Sequence, residues 1–361
     1  MSSSPKGPAQ WVRPEIRALR AYHVPPAEGL IKLDAMENPW PWPGETLGEA
    51  WQQVLREAAL NRYPDAACRE LKAALRTHLC VPDGAELLLG NGSDELIQMI
   101  ALALAADGRC VMAPEPTFVM YRMIATFTGM AFEGVALNDD FSLNMARTLQ
   151  AIERTRPAVL FLAWPNNPTG TLFPRAQVAQ LIEAAPGLVV VDEAYHAFAE
   201  ESFLGDVGRW PNLVVMRTLS KTGLAGLRLG MLAGPPAWIN EFDKVRLPYN
   251  INTLTQLSAR FALDHLDVLE AQSAQLRAER DQLAVALTGL PGTTVFPSRA
   301  NFILIRVPPG RADALHTALR EAGILIKNLH GSHPALHDCL RLTIGTPDEN
   351  SRLLQALSER L

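Results

Sequence analysis

Charge of one sign is missing: 33 Lys and Arg stand against 38 Asp and Glu, a formal net charge of −5. With a pI near 5.9 and no Lys/Arg block, the chain lacks the electrostatic footprint of a nucleic-acid binder. Long apolar runs are missing too. The stretch 96–106 is among the longest, and it falls well short of the roughly 20 residues a membrane-spanning helix needs. Residues 1–10 are polar with no apolar centre, so no secretory signal is expected there, and residues 1–12 read as a flexible tail. Cysteine is scarce. Cys68, Cys80, Cys110 and Cys339 form no Cys-x-x-Cys pair, and His and Cys never cluster at metal-ligand spacing, so no metal is expected and reduced thiols in a cytoplasm fit best. Cys80 and Cys110 are expected in apolar surroundings. No internal repeat is visible, and the only low-complexity stretch is the Ser-rich beginning.

What remains is ordinary globular composition, 48% hydrophobic and 20% charged, over a length that suits two domains or one large one. Apolar runs at 86–89, 110–113, 131–136, 158–163, 188–191, 213–216 and 229–233 predict strands, with helical periodicity between most of them, as at 94–105 and 175–184. Strands rich in Val and Leu and apolar on both faces imply a parallel sheet covered by helices on both sides. A long helical stretch at 255–287 follows. Short strands at 293–296, 302–306, 324–327 and 340–344, with helices at 312–322 and 348–357, then suggest a smaller α+β domain. Residues 13–43, rich in Pro and Trp, have no strong period. The expected division is a tail 1–12, an arm 13–43, a large domain 44–253 and a small domain 254–361.

The chemistry gathers at strand ends, where ligands of open α/β sheets bind. The run 213–216 delivers Lys221 into Thr218-Leu219-Ser220-Lys221-Thr222-Gly223, with Arg228 a few positions on. The run 158–163 leads into Trp164-Pro165-Asn166-Asn167-Pro168-Thr169-Gly170, and 188–191 into Asp192-Glu193-Ala194-Tyr195. Each piece has a bland reading by itself: a solvated lysine, a helix cap, a Pro-Gly turn. Together they supply an amine, a carboxylate, a phenol, an amide and a guanidinium. That is the set pyridoxal 5′-phosphate (PLP) requires: a lysine to bond to, an acid for the pyridine nitrogen, donors for the ring oxygen and a phosphate cradle. The glycine pattern at 223–230 is no dinucleotide fingerprint, because no strand–Gly-x-Gly-x-x-Gly–helix unit precedes it.

With these motifs the chain resembles the fold-type I PLP enzymes of aminotransferase class I/II, and within them the histidinol-phosphate aminotransferases. Arg62-Tyr63-Pro64-Asp65, Asn91-Gly92-Ser93-Asp94-Glu95 and Leu340-Arg341-Leu342-Thr343-Ile344-Gly345 carry the narrower likeness. The resemblance implies an α/β fold with a large domain on a mostly parallel seven-stranded sheet covered by helices, a smaller α+β domain, and an arm that packs on the small domain and reaches over the active site. It implies that Lys221 bonds to PLP and then moves a proton at the substrate, and that Asp192 pairs with the pyridine nitrogen. Tyr195 and Asn167 would bond the ring oxygen, and Phe118 would stack on the ring. Ser93 and Asp94 at a helix start, with Ser220 and Arg228, would hold the phosphate. The backbone of Asp94 and Glu95, not their carboxylates, is expected to face it. The loop from Lys221 to Arg228 is one residue shorter than in many relatives, and Gly223 is expected to absorb this.

By the same resemblance Arg341 anchors the substrate's anionic tail, assisted by Tyr22, Asn38 and Tyr249, while Tyr63 reaches the cofactor phosphate of the partner in a homodimer with shared active sites. Lys327 stands where a second arginine is common; it keeps the charge and loses the fork. His330, His333 and His337 are expected to be solvated loop residues. The implied substrates are histidinol phosphate and glutamate or 2-oxoglutarate, with no nucleic-acid or membrane partner. Rival readings are an aromatic or broad-range aminotransferase, a threonine-phosphate decarboxylase, and a non-catalytic PLP-sensing regulator. The last is disfavoured because the segment ahead of the resemblance is short and has no basic cluster.

Overall fold

The computed structural model describes residues 7–21, 24–42 and 44–361. The first strand, β1 (Ile31–Leu33), precedes the main run: β2 (Glu86–Asn91), β3 (Cys110–Glu115), β4 (Ala131–Ala136), β5 (Val159–Ala163), β6 (Leu188–Asp192), β7 (Leu213–Thr218) and β8 (Leu229–Gly234). These seven form one sheet in the order β2-β8-β7-β6-β5-β3-β4. Their alternation explains their composition. Leu160, Leu162, Val189, Val191, Leu213 and Val215 enter the core on one face. Val159, Phe161, Leu188, Val190, Val214 and Met216 enter the core on the other. A strand buried on both faces has no polar face to show, hence the unbroken apolar runs.

All strand pairs are parallel except those of β8, which runs antiparallel to both β7 and β2. The link from β7 to β8 spans only residues 219–228, and a parallel crossover needs about a dozen or more residues. Two reversals leave β2 parallel to β7. The carboxyl ends of β2, β3, β5, β6 and β7 therefore share one edge of the sheet.

The second sheet has the order β1-β11-β12-β10-β9, with β9 (Thr294–Val295), β10 (Phe302–Arg306), β11 (Ile324–Asn328) and β12 (Cys339–Thr343). Its core holds Phe302, Ile303, Leu340 and Leu342 with Leu353 and Leu357 of the helix Pro347–Ser358, which a Thr346/Glu349 capping box starts. Three expectations shift. The arm supplies β1, parallel to β11, so it is built into the small sheet. The long helix is two, Thr253–Leu263 and Leu266–Thr288. Ala259, Ala262, Leu263 and Leu269 lie in the large core, while Leu276, Leu283 and Leu287 lie in the small one. The second helix thus contributes to both cores. The expected tail is described only from Gly7 on, where Pro8–Trp11 makes one helical turn. No helix among the described residues is long and apolar enough to cross a membrane.

Candidate active site

One cleft opens at the shared carboxyl edge. Ser93, Asp94, Phe118, Asn167, Asp192, Tyr195, Ser220, Lys221 and Arg228 all line it, joined by Met36, Pro165, Ala194 and Thr218. Strand alternation separates the two acids of Asp192-Glu193. Asp192 faces the cleft, whereas Glu193 is fully buried against Arg217, 2.9 Å away, and Ser202. The two asparagines part likewise. Asn166 Nδ2 donates to Pro116 O at 3.0 Å and Thr169 Oγ1 at 2.9 Å and shapes the turn; Asn167 is the one that reaches the cleft.

Lys221 donates from Nζ to the Ala35 carbonyl at 3.0 Å. Burial, with Arg341 and Arg228 adding repulsion, lowers its amine to about 8, so a neutral amine is accessible near physiological pH. Burial raises the Asp192 carboxyl to about 6, against the pull of Tyr121 and the Ala194 amide. Asp192 Oδ2 accepts from Tyr121 Oη at 2.6 Å, and Oδ1 accepts from Ala194 N at 3.1 Å. Burial likewise raises the Tyr195 phenol, which therefore stays a donor, and its ring meets Phe302 edge-on at 5.2 Å.

An anion cradle adjoins. No side chain caps the start of the helix Gly92–Leu104, so its first-turn amides are not spent on one. Arg228, at φ +50°, brings its guanidinium beneath them: a Cβ on Gly92 would lie 2.5 Å from Arg228 Nη2. A Cβ on Gly230 would lie 2.6 Å from the Gly92 carbonyl carbon and 2.9 Å from Ser93 N, so only glycine lets the strand approach this closely. Gly223 takes φ +138° within the turn after Lys221, a conformation closed to side chains, and Arg228 shares the adjustment through its own left-handed backbone. Glu95 turns away, accepting from Asn91 N at 2.6 Å and Asn250 Nδ2 at 2.8 Å. Asp94 departs from expectation: its carboxylate lies at the cleft, 3.4 Å from Arg228 Nη2, and burial raises its carboxyl. The donor set (amine, buried carboxylate, phenol, amide, helix-start amides and guanidinium) fits PLP.

Next to the cleft, Arg341 donates to Asn167 Oδ1 at 2.5 Å and to Asp34 O at 2.9 Å. Lys327 sits directly across the ladder from Arg341, and both line a larger opening whose other wall includes Ile16, Leu19 and Val24 of the arm. Asn38 is corrected. Its Nδ2 donates to Thr222 O at 3.1 Å and Gln272 Oε1 at 3.0 Å while its Oδ1 accepts from Trp40 N at 2.9 Å, so its amide ties the arm to the Lys221 turn and does not reach the cleft. Tyr22 lies outside the described residues. Tyr63 and Tyr249 stack on each other at 4.4 Å, exposed and away from this chain's own cleft. Sequence reasoning overlooked Tyr121, Met36 and the Ala35 carbonyl; a buried tyrosine in an apolar helix gives no local sign of its partner.

Two smaller expectations change. Cys80 is exposed, not apolar in its surroundings. His330, His337 and Asp338 meet in space, where His330 Nδ1 accepts from Asp338 N at 3.0 Å and lies 3.1 Å from His337 Nδ1, so the trio is tied together by hydrogen bonds within its loop.

Comparison with known proteins places these residues in context. The profile of the family described as Aminotransferase class I and II matches residues 29–357. Histidinol-phosphate aminotransferase 2 of Nitrosococcus oceani is 57% identical over 349 residues, covering 97% of each chain. Histidinol-phosphate aminotransferase of Chromobacterium violaceum is 57% identical over 348 residues, covering 96% of this chain and 97% of its own. The solved histidinol-phosphate aminotransferase of Sinorhizobium meliloti, in complex with pyridoxal-5′-phosphate, superposes with a TM-score of 0.84 at 25% identity, over 99% of this chain and 98% of its own.

Proposed function

We propose that this chain, which belongs to the aminotransferase class I and II family, uses PLP to exchange an amino group between L-histidinol phosphate and 2-oxoglutarate. The products are imidazole acetol phosphate and L-glutamate, and the place of the reaction is histidine biosynthesis. The observation that carries the reading is the convergence of Lys221, Asp192, Tyr195 and Asn167 in one cleft, with Arg341 and Lys327 at its mouth. The names of relatives at 57% identity over nearly the full chain support the substrate.

When bound, PLP supplies an aldehyde that bonds to amines and a protonated ring that accepts the electron pair left on the substrate's Cα. Asp192, as an anion, would keep the proton on the ring nitrogen. Tyr195 and Asn167 would hold the ring oxygen, Phe118 would pack against the ring, and Ser220, Arg228 and the Gly92–Leu104 helix start would hold the phosphate. Lys221, with its amine near 8, takes the proton from Cα and returns one on the other side of the exchange. Arg341 grips the anionic tail of each substrate in turn, and a guanidinium fork suits phosphate and carboxylate alike.

The working unit in this reading is a cytoplasmic homodimer. Four free cysteines suit a reducing compartment. The exposed Tyr63–Tyr249 stack suits donation of aromatic hydroxyls to a neighbour's site. The test is a set of half-reactions of the PLP-loaded protein, followed by loss of cofactor absorbance. Histidinol phosphate is expected to exceed phenylalanine and unphosphorylated histidinol in kcat/KM by about tenfold or more. A preference for either of those donors overturns the substrate assignment.

A further inference from the structure

Asp192 is a buried carboxylate whose charge the site requires, and burial opposes that charge. The acids nearest it make the problem worse: Asp94, from the helix after β2, and Glu193, its own neighbour, both repel it, and Tyr195 stands beside it in the cleft. Two donors act the other way. One is the Ala194 amide, supplied by the turn itself at 3.1 Å. The other comes from a different element altogether, the Tyr121 hydroxyl at 2.6 Å, from the helix Met120–Thr128.

Tyr121 is built to make that bond. Its ring is 1% exposed, lies flat on Phe161 of β5 at 4.6 Å and 11°, and meets Phe118 edge-on at 5.6 Å and 87°. Burial first, and Asp192 second, push its phenol far up, so the hydroxyl keeps its proton at every physiological pH and always donates. A phenol proton on a carboxylate is a charge-assisted bond that only the anion accepts well. The same ring thus contacts both Phe118, the expected stacking partner of PLP, and Asp192, the acid expected to hold the ring nitrogen.

We propose that Tyr121 is a positioning residue for PLP, holding Asp192 ionised and its carboxylate fixed at the cleft. The inference rests on the PLP reading of this cleft. The test measures the PLP dissociation constant of wild type and Tyr121→Phe by equilibrium dialysis from pH 5.5 to 8.5. The ratio of variant to wild type cancels the titrations of PLP itself and of Lys221. Loss of the donor moves the Asp192 titration upward by about one unit, so the ratio stays near 1–2 at pH 8 and rises to about five at pH 6. PLP-saturated kcat falls in the same variant while KM for the amino donor stays put. In an Asp192→Asn background, Tyr121→Phe adds nothing further to the ratio at any pH.

A ratio that is flat with pH, or losses that add in the double variant, overturns the proposal, because a packing defect alone is pH-independent. Tyr121→His, which keeps a ring and a donor, carries the test if Tyr121→Phe does not fold. Its affinity is expected to fall off at or below the wild-type pH, and an upward displacement overturns the proposal. A wild type that binds no PLP would instead sink the cofactor reading, which separates the two failures.

Discussion

Burial lifts the Asp192 carboxyl from an ordinary 3.8 to about 6, so the folded protein holds a proton that the unfolded chain releases between those values. A carboxyl with a raised folded value loses stability for the protein as pH climbs through that window, and above it the cost is fully present. Asp192→Asn removes the cost. In protein freed of PLP, its unfolding free energy at pH 7.5 is expected to rise by on the order of 2–3 kcal/mol, read by denaturant unfolding. In PLP-loaded protein the same change is expected to lower kcat by about 100-fold or more, since the ring nitrogen loses its anion. Stability up with turnover down is the mark of a functional charge. Turnover that survives, or stability that falls, contradicts the role. The neighbouring Glu193 gives the contrast: fully buried and paired with Arg217 and Ser202, its removal is expected to destabilise because it strands the arginine.

At the scale of elements, the antiparallel pair β11–β12 sets two cations side by side at the opening, and the reading proposed above gives them the choice of anion. Lys327 and Arg341 face each other across it, and burial and Arg341 together push the Lys327 amine down, so an incoming anion stabilises both charges at once. Arg341→Ala is expected to cost both half-reactions about 100-fold in kcat/KM. Lys327→Ala is expected to cost the histidinol-phosphate half about tenfold and the glutamate half threefold or less, because a dianionic phosphate gains more from a second cation. Single-turnover rates at fixed ionic strength read the difference, and equal losses for both donors remove the specificity role from Lys327. Arginines of the helix Leu266–Thr288 help hold the other side of the site. Arg277 donates to Ala197 O at 2.7 Å and Arg280 to Phe198 O at 3.3 Å, which anchors the segment after Tyr195 against the small domain.

For the molecule as a whole, the Tyr63–Tyr249 stack is the feature that this chain's own cleft does not use. Tyr63 is 80% exposed, an unusual place for an aromatic with a partner ring at 4.4 Å. If the dimer proposed above forms, light scattering is expected to give twice the 39.5-kDa chain mass. Lys221→Ala and Tyr63→Ala chains, each weak alone, are expected to recover roughly a quarter of wild-type activity when refolded together in equal amounts, because half the dimers then carry one intact site of two. Activity equal to the mean of the two separate variants would place Tyr63 outside the neighbour's site.

Much of this was legible along the chain. The strands β2, β3 and β5 to β8 are buried along most of their length, so each announces itself as an apolar run, and a polar segment follows several of them directly in sequence. The cofactor therefore followed from Lys221, Asp192, Asn167 and Tyr195 without coordinates, and the reaction class from the resemblance that the surrounding motifs carry. What folding alone decided is pairing between distant segments. Tyr121 and Asp192 are 71 residues apart, and in sequence Tyr121 is one more apolar position of an ordinary helix. Nothing along the chain shows that the Asn38 amide bonds Thr222 and Gln272, and β1 went unseen because three residues in a Pro- and Trp-rich arm carry no period. Apolar periodicity records what a segment buries, whereas a hydrogen bond across the fold leaves no mark on either partner's neighbours; only the packed structure brings the two together.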